Sequence, residues 1–144
     1  MGEYIYIRID DMSVQDNETR DMPIKPFDEN ILNATFREVI DRMIDTKPDP
    51  LTNHCYNSDE IRFITGFKER YINALNQDNS RIEILATKDG QDNGPYTLND
   101  RLGDYTSDIL QVIEKEEDGT VYRSIDLLVN PASGGSNLDT YMHR

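Results

Sequence analysis

The chain has 144 residues, the length of a single domain that can bury a core without disulfides or metals. Its 28 acidic and 15 basic residues give a formal net charge of −13, which argues against DNA, RNA or an anionic membrane as partner because each would repel the chain. The single cysteine, Cys55, excludes an internal disulfide, and no apolar run is long enough for a membrane span, so we expect a cytoplasmic protein.

The first predicted elements are two strands. In residues 4–9, isoleucine occupies positions 5, 7 and 9, and tyrosine occupies positions 4 and 6. This alternation predicts a strand with the isoleucines on one face. Residues 13–21 are polar and predict a loop. Residues 22–27 are weakly strand-like, and their two prolines place them at a sheet edge because proline cannot donate to a strand ladder.

A helix is predicted next, over residues 35–46. Thr35 and Glu38 have the spacing of a capping box at its start, and Pro48 follows its end. Its apolar residues recur with helical spacing on one face, which predicts burial of that face. These residues are Phe36, Val39, Ile40, Met43 and Ile44.

A second helix is predicted over residues 58–76, with Phe63, Phe67 and Tyr71 along one side. Two interpretations of this aromatic stripe stay open. It is either a face that binds a partner or another subunit, or a buried face that adds a second layer over the sheet, and its composition favours burial.

The remaining chain is predicted to hold three strands joined by turns. Leu98 and Leu102 are expected to point inward from a compact connection, and Asp118-Gly119 is typical of a hairpin turn. The strands are expected at residues 82–85, 109–113 and 120–129, with a Gly/Asn/Asp/Pro loop at residues 91–95 and the connection at residues 97–104.

In the segment 81–114, a strand and a turn with Lys88 and Asp89 are followed by Thr97-Leu98-Asn99-Asp100 and a further strand. This segment resembles the second half of ubiquitin, and its four-residue turn is similar to the Thr-Leu-Ser-Asp turn of ubiquitin. Leu98 would fill the bottom of the core, and Asp100 can accept hydrogen bonds from backbone N–H groups of the tight loop.

This resemblance implies an α+β fold, a ubiquitin-like β-grasp with a mixed sheet, one packed helix and an inserted second helix. The domain would span residues 1–130, with the helical insertion at about residues 48–80 and a flexible tail at residues 131–144. In such a fold the first and last core strands pair in parallel at the centre. We therefore expect residues 4–9 to lie beside residues 109–113.

The same resemblance predicts several contacts. The helix at 35–46 should pack on the sheet against Ile7, Ile84 and Val112. Glu83 stands where ubiquitin has the exposed isoleucine of its recognition patch, and alternation with Ile82 and Ile84 predicts that it faces solvent. A partner of that face would then be basic or polar. Positions considered for partner binding are Glu83, Lys88, Phe63, Phe67 and Tyr71.

The end of the chain adds a second point of resemblance. Gly134-Gly135 follow the last predicted strand and precede Ser136, and ubiquitin-like modifiers are conjugated through a terminal glycine pair after removal of an extension. Glycine suits this chemistry because the chain end must thread a narrow channel of the activating enzyme. The same residues are equally typical of a flexible linker.

No residue pattern indicates catalysis or a metal. His54 and Cys55 are adjacent in sequence, so their side chains diverge, and residues 89–94 lack the alternating oxygen ligands of a calcium loop. We therefore expect no catalytic residue, no metal and no cofactor.

Three hypotheses follow. The first is a ubiquitin-like modifier, made as a precursor and conjugated through Gly135, for which the resemblance implies an activating enzyme, a carrier enzyme and a processing peptidase as partners. The second is a β-grasp interaction or scaffold subunit that is not conjugated. A small enzyme whose site is completed by a partner is a weaker third hypothesis.

Overall fold

The computed structural model describes residues 4–13, 22–78, 82–114 and 119–131. Within them the chain is α+β, with a mixed six-stranded sheet and three α-helices. The strands are β1 (Ile5–Asp11), β2 (Lys25–Phe27), β3 (Glu83–Lys88), β4 (Gln91–Tyr96), β5 (Gln111–Glu114) and β6 (Val121–Asn130). The helices are α1 (Phe36–Met43), α2 (Ser58–Asp78) and α3 (Thr106–Ile109), and single 3-10 turns occupy Glu29–Asn33 and Leu102–Tyr105.

The strand order is β2-β1-β6-β3-β4, and β5 pairs with the first part of β6. The central pair β1–β6 is parallel, with Ile7 opposite Ile125, and the other pairs are antiparallel. The expected central pairing of residues 4–9 with residues 109–113 is therefore wrong. β6 is the parallel partner of β1 because its ten residues present buried Ile125, Leu127 and Val129 to the core.

The core lies on one face of the sheet. There the isoleucines of β1 and the apolar residues of β6 are covered by α1, whose Phe36, Val39, Ile40 and Met43 are all completely or almost completely buried. These α1 residues share one buried cluster with Ile7 and Ile84, as predicted. The predicted contact with Val112 is wrong, since β5 extends beyond the core and leaves this side chain 67% exposed.

Both ends of α1 are stabilised by side chains. At the start, Thr35 Oγ1 accepts a hydrogen bond from Glu38 N at 3.2 Å, and Glu38 Oε1 accepts one from Thr35 N at 2.8 Å, which confirms the capping box. The helix ends at Met43, three residues before the predicted end. There the Lys25 ammonium donates to the carbonyls of Arg42 and Asp45 at 2.8 and 2.6 Å.

α2 packs beside α1 and not on the opposite side of the sheet. Ile64, Phe67 and Tyr71 are completely buried and belong to the same cluster as the α1 residues. Arg70 also forms an ion pair with Asp11 at the end of β1. The interpretation of the aromatic stripe as a second layer thus holds for Phe67 and Tyr71.

The loop predicted over residues 91–95 is wrong, because these residues form β4. A two-residue turn with positive φ at Asp89 (54°) and Gly90 (80°) reverses the chain, and β4 pairs with β3 from Lys88–Gln91 to Ile84–Tyr96. The register shifts between Ile84 and Ala86, where Gly94 has φ 123°. Composition alone misled the prediction, since backbone pairing needs no particular side chain.

The turn at residues 97–100 joins the sheet to α1. Asp100 Oδ2 accepts a hydrogen bond from Thr97 N at 2.9 Å, as predicted for this carboxylate. The carbonyls of Asp100 and Leu98 accept hydrogen bonds from Phe36 N and Arg37 N, both at 3.0 Å. The turn therefore satisfies two N–H groups of the first helical turn, which would otherwise lack partners. Leu98 and Leu102 are buried, as expected.

Candidate functional site

The sheet has a second face, which points away from the core and is called here the outer face. Its side chains alternate with the buried ones along each strand. All of them except the buried Ser124 are half-buried, and the apolar ones neither belong to nor pack against the core cluster. The residues are Tyr6, Arg8, Asp10, Glu83, Leu85, Thr87, Gln111, Ile113, Tyr122, Ser124, Asp126, Leu128 and Asn130.

Aromatic and aliphatic groups dominate the outer face. Tyr6 and Tyr122 meet edge to face, with ring centroids 5.9 Å apart. Leu85 stands directly opposite Leu128 in the β3–β6 register, and Ile113 stands opposite Tyr122. Apolar groups that cluster on a partly accessible face outside the core are typical of surfaces that bind other proteins.

The charges of the outer face are partly paired. Arg8 lies 3.6 Å from Asp126, whose carboxylate also accepts a hydrogen bond from Gln111 at 3.3 Å. Ser124 stands opposite Tyr6 in β1 and Gln111 in β5 and is only 7% exposed. Its hydroxyl has no hydrogen-bond partner within the described part of the chain. Glu83 stands at the other end of the face, opposite Asn130.

The residues predicted for partner binding are placed differently from one another. Glu83 is half-buried on the outer face between buried Ile82 and Ile84, so the predicted strand alternation is confirmed. Lys88 donates a hydrogen bond to the Ser107 carbonyl at 2.6 Å, which ties β3 to α3. The outer face around Glu83 is also richer in apolar groups than the sequence indicated.

The aromatic stripe of α2 is divided. Phe67 and Tyr71 are completely buried and stack at 6.0 Å between ring centroids, so a partner cannot reach them in this fold. Phe63, one helical turn before Phe67 in α2, is 37% exposed. The predicted conjugation and processing residues Gly134, Gly135 and Ser136 lie outside the described residues.

A second constellation surrounds Lys25, which is only 6% exposed. Besides its two carbonyl acceptors, the ammonium lies 5.1 Å from the centroid of the Tyr56 ring. The pKa of Lys25 is lowered, because burial lowers it by more than the carboxylates of Asp45 and Asp49 raise it. For Tyr56, burial and the nearby carboxylates, Asp49 foremost, raise the pKa to about 12. A buried charge is tolerated here because hydrogen bonds and a ring satisfy it.

Sequence reasoning missed this constellation. Lys25 lies in a short edge strand, and its acceptors and ring come from residues 42, 45 and 56. A lysine between two prolines gives no signal that it will be buried. Only the three-dimensional packing reveals it.

The described ranges contain neither a cluster of metal-binding side chains nor a helix that could span a membrane. No group of three or more histidine, cysteine, aspartate or glutamate side chains there could hold a metal ion. No helix in that part of the chain is both long and apolar enough to cross a membrane. Cys55 is exposed, and its thiol donates a long hydrogen bond to the Asn53 carbonyl, with 3.9 Å between sulfur and oxygen.

Comparison of the chain with protein-family models, with curated protein sequences and with solved structures finds no match. The site must therefore be judged from its own geometry.

Proposed function

We propose that this chain is a β-grasp protein that binds another protein through the outer face of its sheet. The β-grasp assignment is supported by the order β2-β1-β6-β3-β4 with a parallel central pair, and by α1 packed across it. It is also supported by the Thr97–Asp100 turn that caps the start of α1. In this interpretation α2 is an insertion that widens the helical layer.

The outer face carries the proposal. It presents two tyrosines and three aliphatic side chains on a rigid sheet, and the buried residues of α1, α2 and α3 all lie in the core cluster instead. Tyrosine offers a large contact area at little entropic cost, so this composition suits recognition of a protein surface.

The chemistry of the partner follows from the neighbours of Leu85 and Leu128. An apolar side chain of the partner would lie against these two leucines. A lysine or arginine next to it would face Glu83, and the net charge of −13 would favour a basic partner at longer range. Arg8 and Asp126 lie next to the tyrosines and largely balance each other.

The test replaces Leu128 by aspartate. This change adds a charge to the outer face, opposite Asp10 of β1, and leaves the core face of β6 untouched. We therefore expect the fold to persist with somewhat lower stability and binding to be lost. Affinity capture from the source cells, followed by binding measurements with the purified partner, compares this variant with the wild-type chain.

Thr65→Asp is the matched control, since it places the same charge on the exposed side of α2. The control should bind as the wild type does. Equal binding by Leu128→Asp and wild type, with both chains folded, would exclude the outer face as the binding surface.

A second candidate function is favoured by the position of β6. This strand is central in the sheet and ends at Asn130, so Gly134 and Gly135 follow within five residues. A ubiquitin-like modifier needs this arrangement, because its glycine pair has to leave a folded domain on a short tether. Conjugation would go through the Gly135 carboxylate once Ser136 to Arg144 are removed.

Gly135→Trp tests the modifier hypothesis. In source cells, the wild-type chain carrying an N-terminal tag should form covalent adducts of higher mass, and a free product ending at Gly135 should be found by intact mass. The tryptophan variant should form no adducts and keep its thermal stability. An unprocessed wild-type chain without adducts would leave only the binding function.

A further inference from the structure

A small pocket lies beside the C-terminal end of α1, with a volume of about 110 Å³. We call it the lysine pocket, after Lys25 in its wall. Phe27, Tyr56, Leu51 and three prolines make most of its lining apolar, and Arg42 and Lys47 stand with them. It lies at the edge strand β2, away from the central β6 strand of the outer face.

The aromatic rings of the pocket already hold cations. The Lys25 ammonium lies 5.1 Å from the Tyr56 centroid, and the Arg42 guanidinium lies 4.8 Å from that of Phe27. Each ring thus already contacts one cation, and a cationic ligand beside them would be repelled by Lys25 and Arg42. This arrangement favours an anionic ligand over an amine.

Arg42 differs from Lys25 in its hydrogen bonding. Lys25 donates to two carbonyls, whereas Arg42 makes no side-chain hydrogen bond or ion pair within the described part of the chain. Its guanidinium lies over the Phe27 ring, and its N–H groups donate to no other residue among those that the structure describes. A guanidinium fixed in this way is prepared for a planar anion, because its parallel N–H groups match the two oxygens of a carboxylate.

The acidic residues of the pocket are engaged by the backbone. Asp49 Oδ1 accepts a hydrogen bond from Leu51 N at 2.8 Å, and Asp45 Oδ1 accepts one from Lys47 N at 2.9 Å. Together with Lys25, Arg42 and Lys47, these two aspartates give the pocket residues one net positive formal charge in a strongly acidic protein. For an anion bound at Arg42, this charge partly offsets the repulsion from the net charge of −13.

We propose that the lysine pocket binds a carboxylate that carries a short, branched apolar body. The Arg42 guanidinium donates two parallel hydrogen bonds to the carboxylate in a bidentate pair. The positive charge of Lys47, at the rim of the pocket, adds to the attraction. The apolar body lies against Leu51, Tyr56 and the prolines. Such a group occurs both in small free acids and at the C-terminus of a peptide that ends in valine. This inference does not depend on the proposed function.

The test follows backbone amide shifts by NMR while four probes are titrated into the full chain. Isobutyrate is compared with isobutyramide, and Gly-Gly-Val with a free carboxylate is compared with its C-terminal amide. We expect the two acids to shift amides between residues 42 and 56 and the two amides to leave them unchanged. Tighter binding of the peptide would identify a chain end as the ligand, and tighter binding of isobutyrate would identify a free acid.

Two variants and a control locate the interaction. Arg42→Gln should weaken binding of the preferred acid by at least about tenfold, since it removes the charged donor. Leu51→Trp fills the pocket and should abolish the shifts. Arg37→Gln, an exposed arginine of α1 outside the pocket, should bind as the wild type does. Equal binding of acids and amides, equal effects of the two arginine variants, or no shifts with any probe would each overturn the proposal.

Discussion

At the scale of single residues, Lys25 joins three parts of the chain. Its ammonium bonds the carbonyls that end α1, lies over the ring of Tyr56 and extends from β2. A cation at the C-terminal end of a helix is also favoured by the partial negative charge there. The residue therefore combines capping of α1 with attachment of the segment that leads to α2.

The neighbouring Tyr56 predicts a loss of stability at alkaline pH. Its pKa is raised from 10.0 to about 12 in the folded chain, so the folded state keeps the phenol proton longer than the unfolded state. The associated stability is complete below pH 10 and is lost as the pH rises through about 12, by an amount on the order of 2 kcal/mol.

Denaturant unfolding at neutral pH and at about pH 11 measures this effect when wild type is compared with Tyr56→Phe. The difference in unfolding free energy between the two chains should change in favour of the variant as the pH rises. A tyrosinate absorbance titration should also lack one late-titrating group in the variant. If that group titrates near its ordinary pKa in the wild type, the burial argument is wrong.

Tyr71 gives a second prediction at this scale. Its ring is completely buried, and its hydroxyl has no hydrogen-bond partner within the described part of the chain. Burial also raises its pKa. Since an unsatisfied buried hydroxyl costs about 1–3 kcal/mol, Tyr71→Phe should raise the unfolding free energy by about 1 kcal/mol.

Tyr71→Ala is the companion variant, and loss of the ring should lower the unfolding free energy by about 3–5 kcal/mol. Both values come from chemical denaturation. A Tyr71→Phe chain that is clearly less stable than wild type would show that the hydroxyl has a partner in solution.

At the scale of elements, α1 depends on its capping box for a defined start. Thr35→Ala removes the acceptor for Glu38 N and should lower the unfolding free energy by about 1 kcal/mol. Thr65→Ala, in the middle of α2 and exposed, is the control and should be neutral or slightly stabilising because alanine has the higher helix propensity. Equal effects of the two substitutions in thermal unfolding would contradict a capping role for Thr35.

The elements that sequence predicts well are those with local signals. For α1, the capping residue, the apolar face and the proline after its end all lie within fourteen residues. The Thr97–Asp100 turn is closed by a hydrogen bond from Thr97 N to its own Asp100 carboxylate. β4 lacks such a signal, since Gln91–Tyr96 contains glycine, asparagine and proline. It is a strand because β3 offers an edge after a two-residue turn.

The candidate sites follow the same division. Strand alternation was enough to place Glu83 on the outer face, because its neighbours Ile82 and Ile84 are adjacent in sequence. The lysine pocket could not be predicted, because Lys25, Arg42 and Tyr56 come from three parts of the chain, β2, α1 and the segment before α2. Burial of a lysine depends on acceptors whose approach only the complete fold determines.

At the scale of the whole molecule, pairing between distant strands decides the topology. β5 and β6 both present β-branched residues, and the sequence does not state which of them lies beside β1. β6 takes this place because its long apolar face completes the core. β5 pairs with residues 121–124 of β6, the part of that strand that β3 does not reach. Long-range pairing of this kind is what single-sequence patterns encode least.

The last prediction concerns α2, which sequence reasoning treats as an insertion. Ile64, Phe67 and Tyr71 are completely buried in the common core, so α2 is part of the folded unit. Burying each such side chain contributes about 1.5–3 kcal/mol, and the three together are comparable to the whole stability of a domain, about 5–15 kcal/mol. A chain with Ser58–Asp78 replaced by a short Gly-Ser linker should therefore fail to fold cooperatively.

Circular dichroism during thermal unfolding and the dispersion of an amide NMR spectrum measure this outcome. The matched control keeps α2 and changes its exposed Ile61 and Ile72, 40% and 38% accessible, to lysine. This control should fold with a sharp transition, because neither side chain is part of the core cluster. A shortened chain that unfolds cooperatively would mean that β1 to β6 and α1 form a self-sufficient domain and that α2 is an accessory layer.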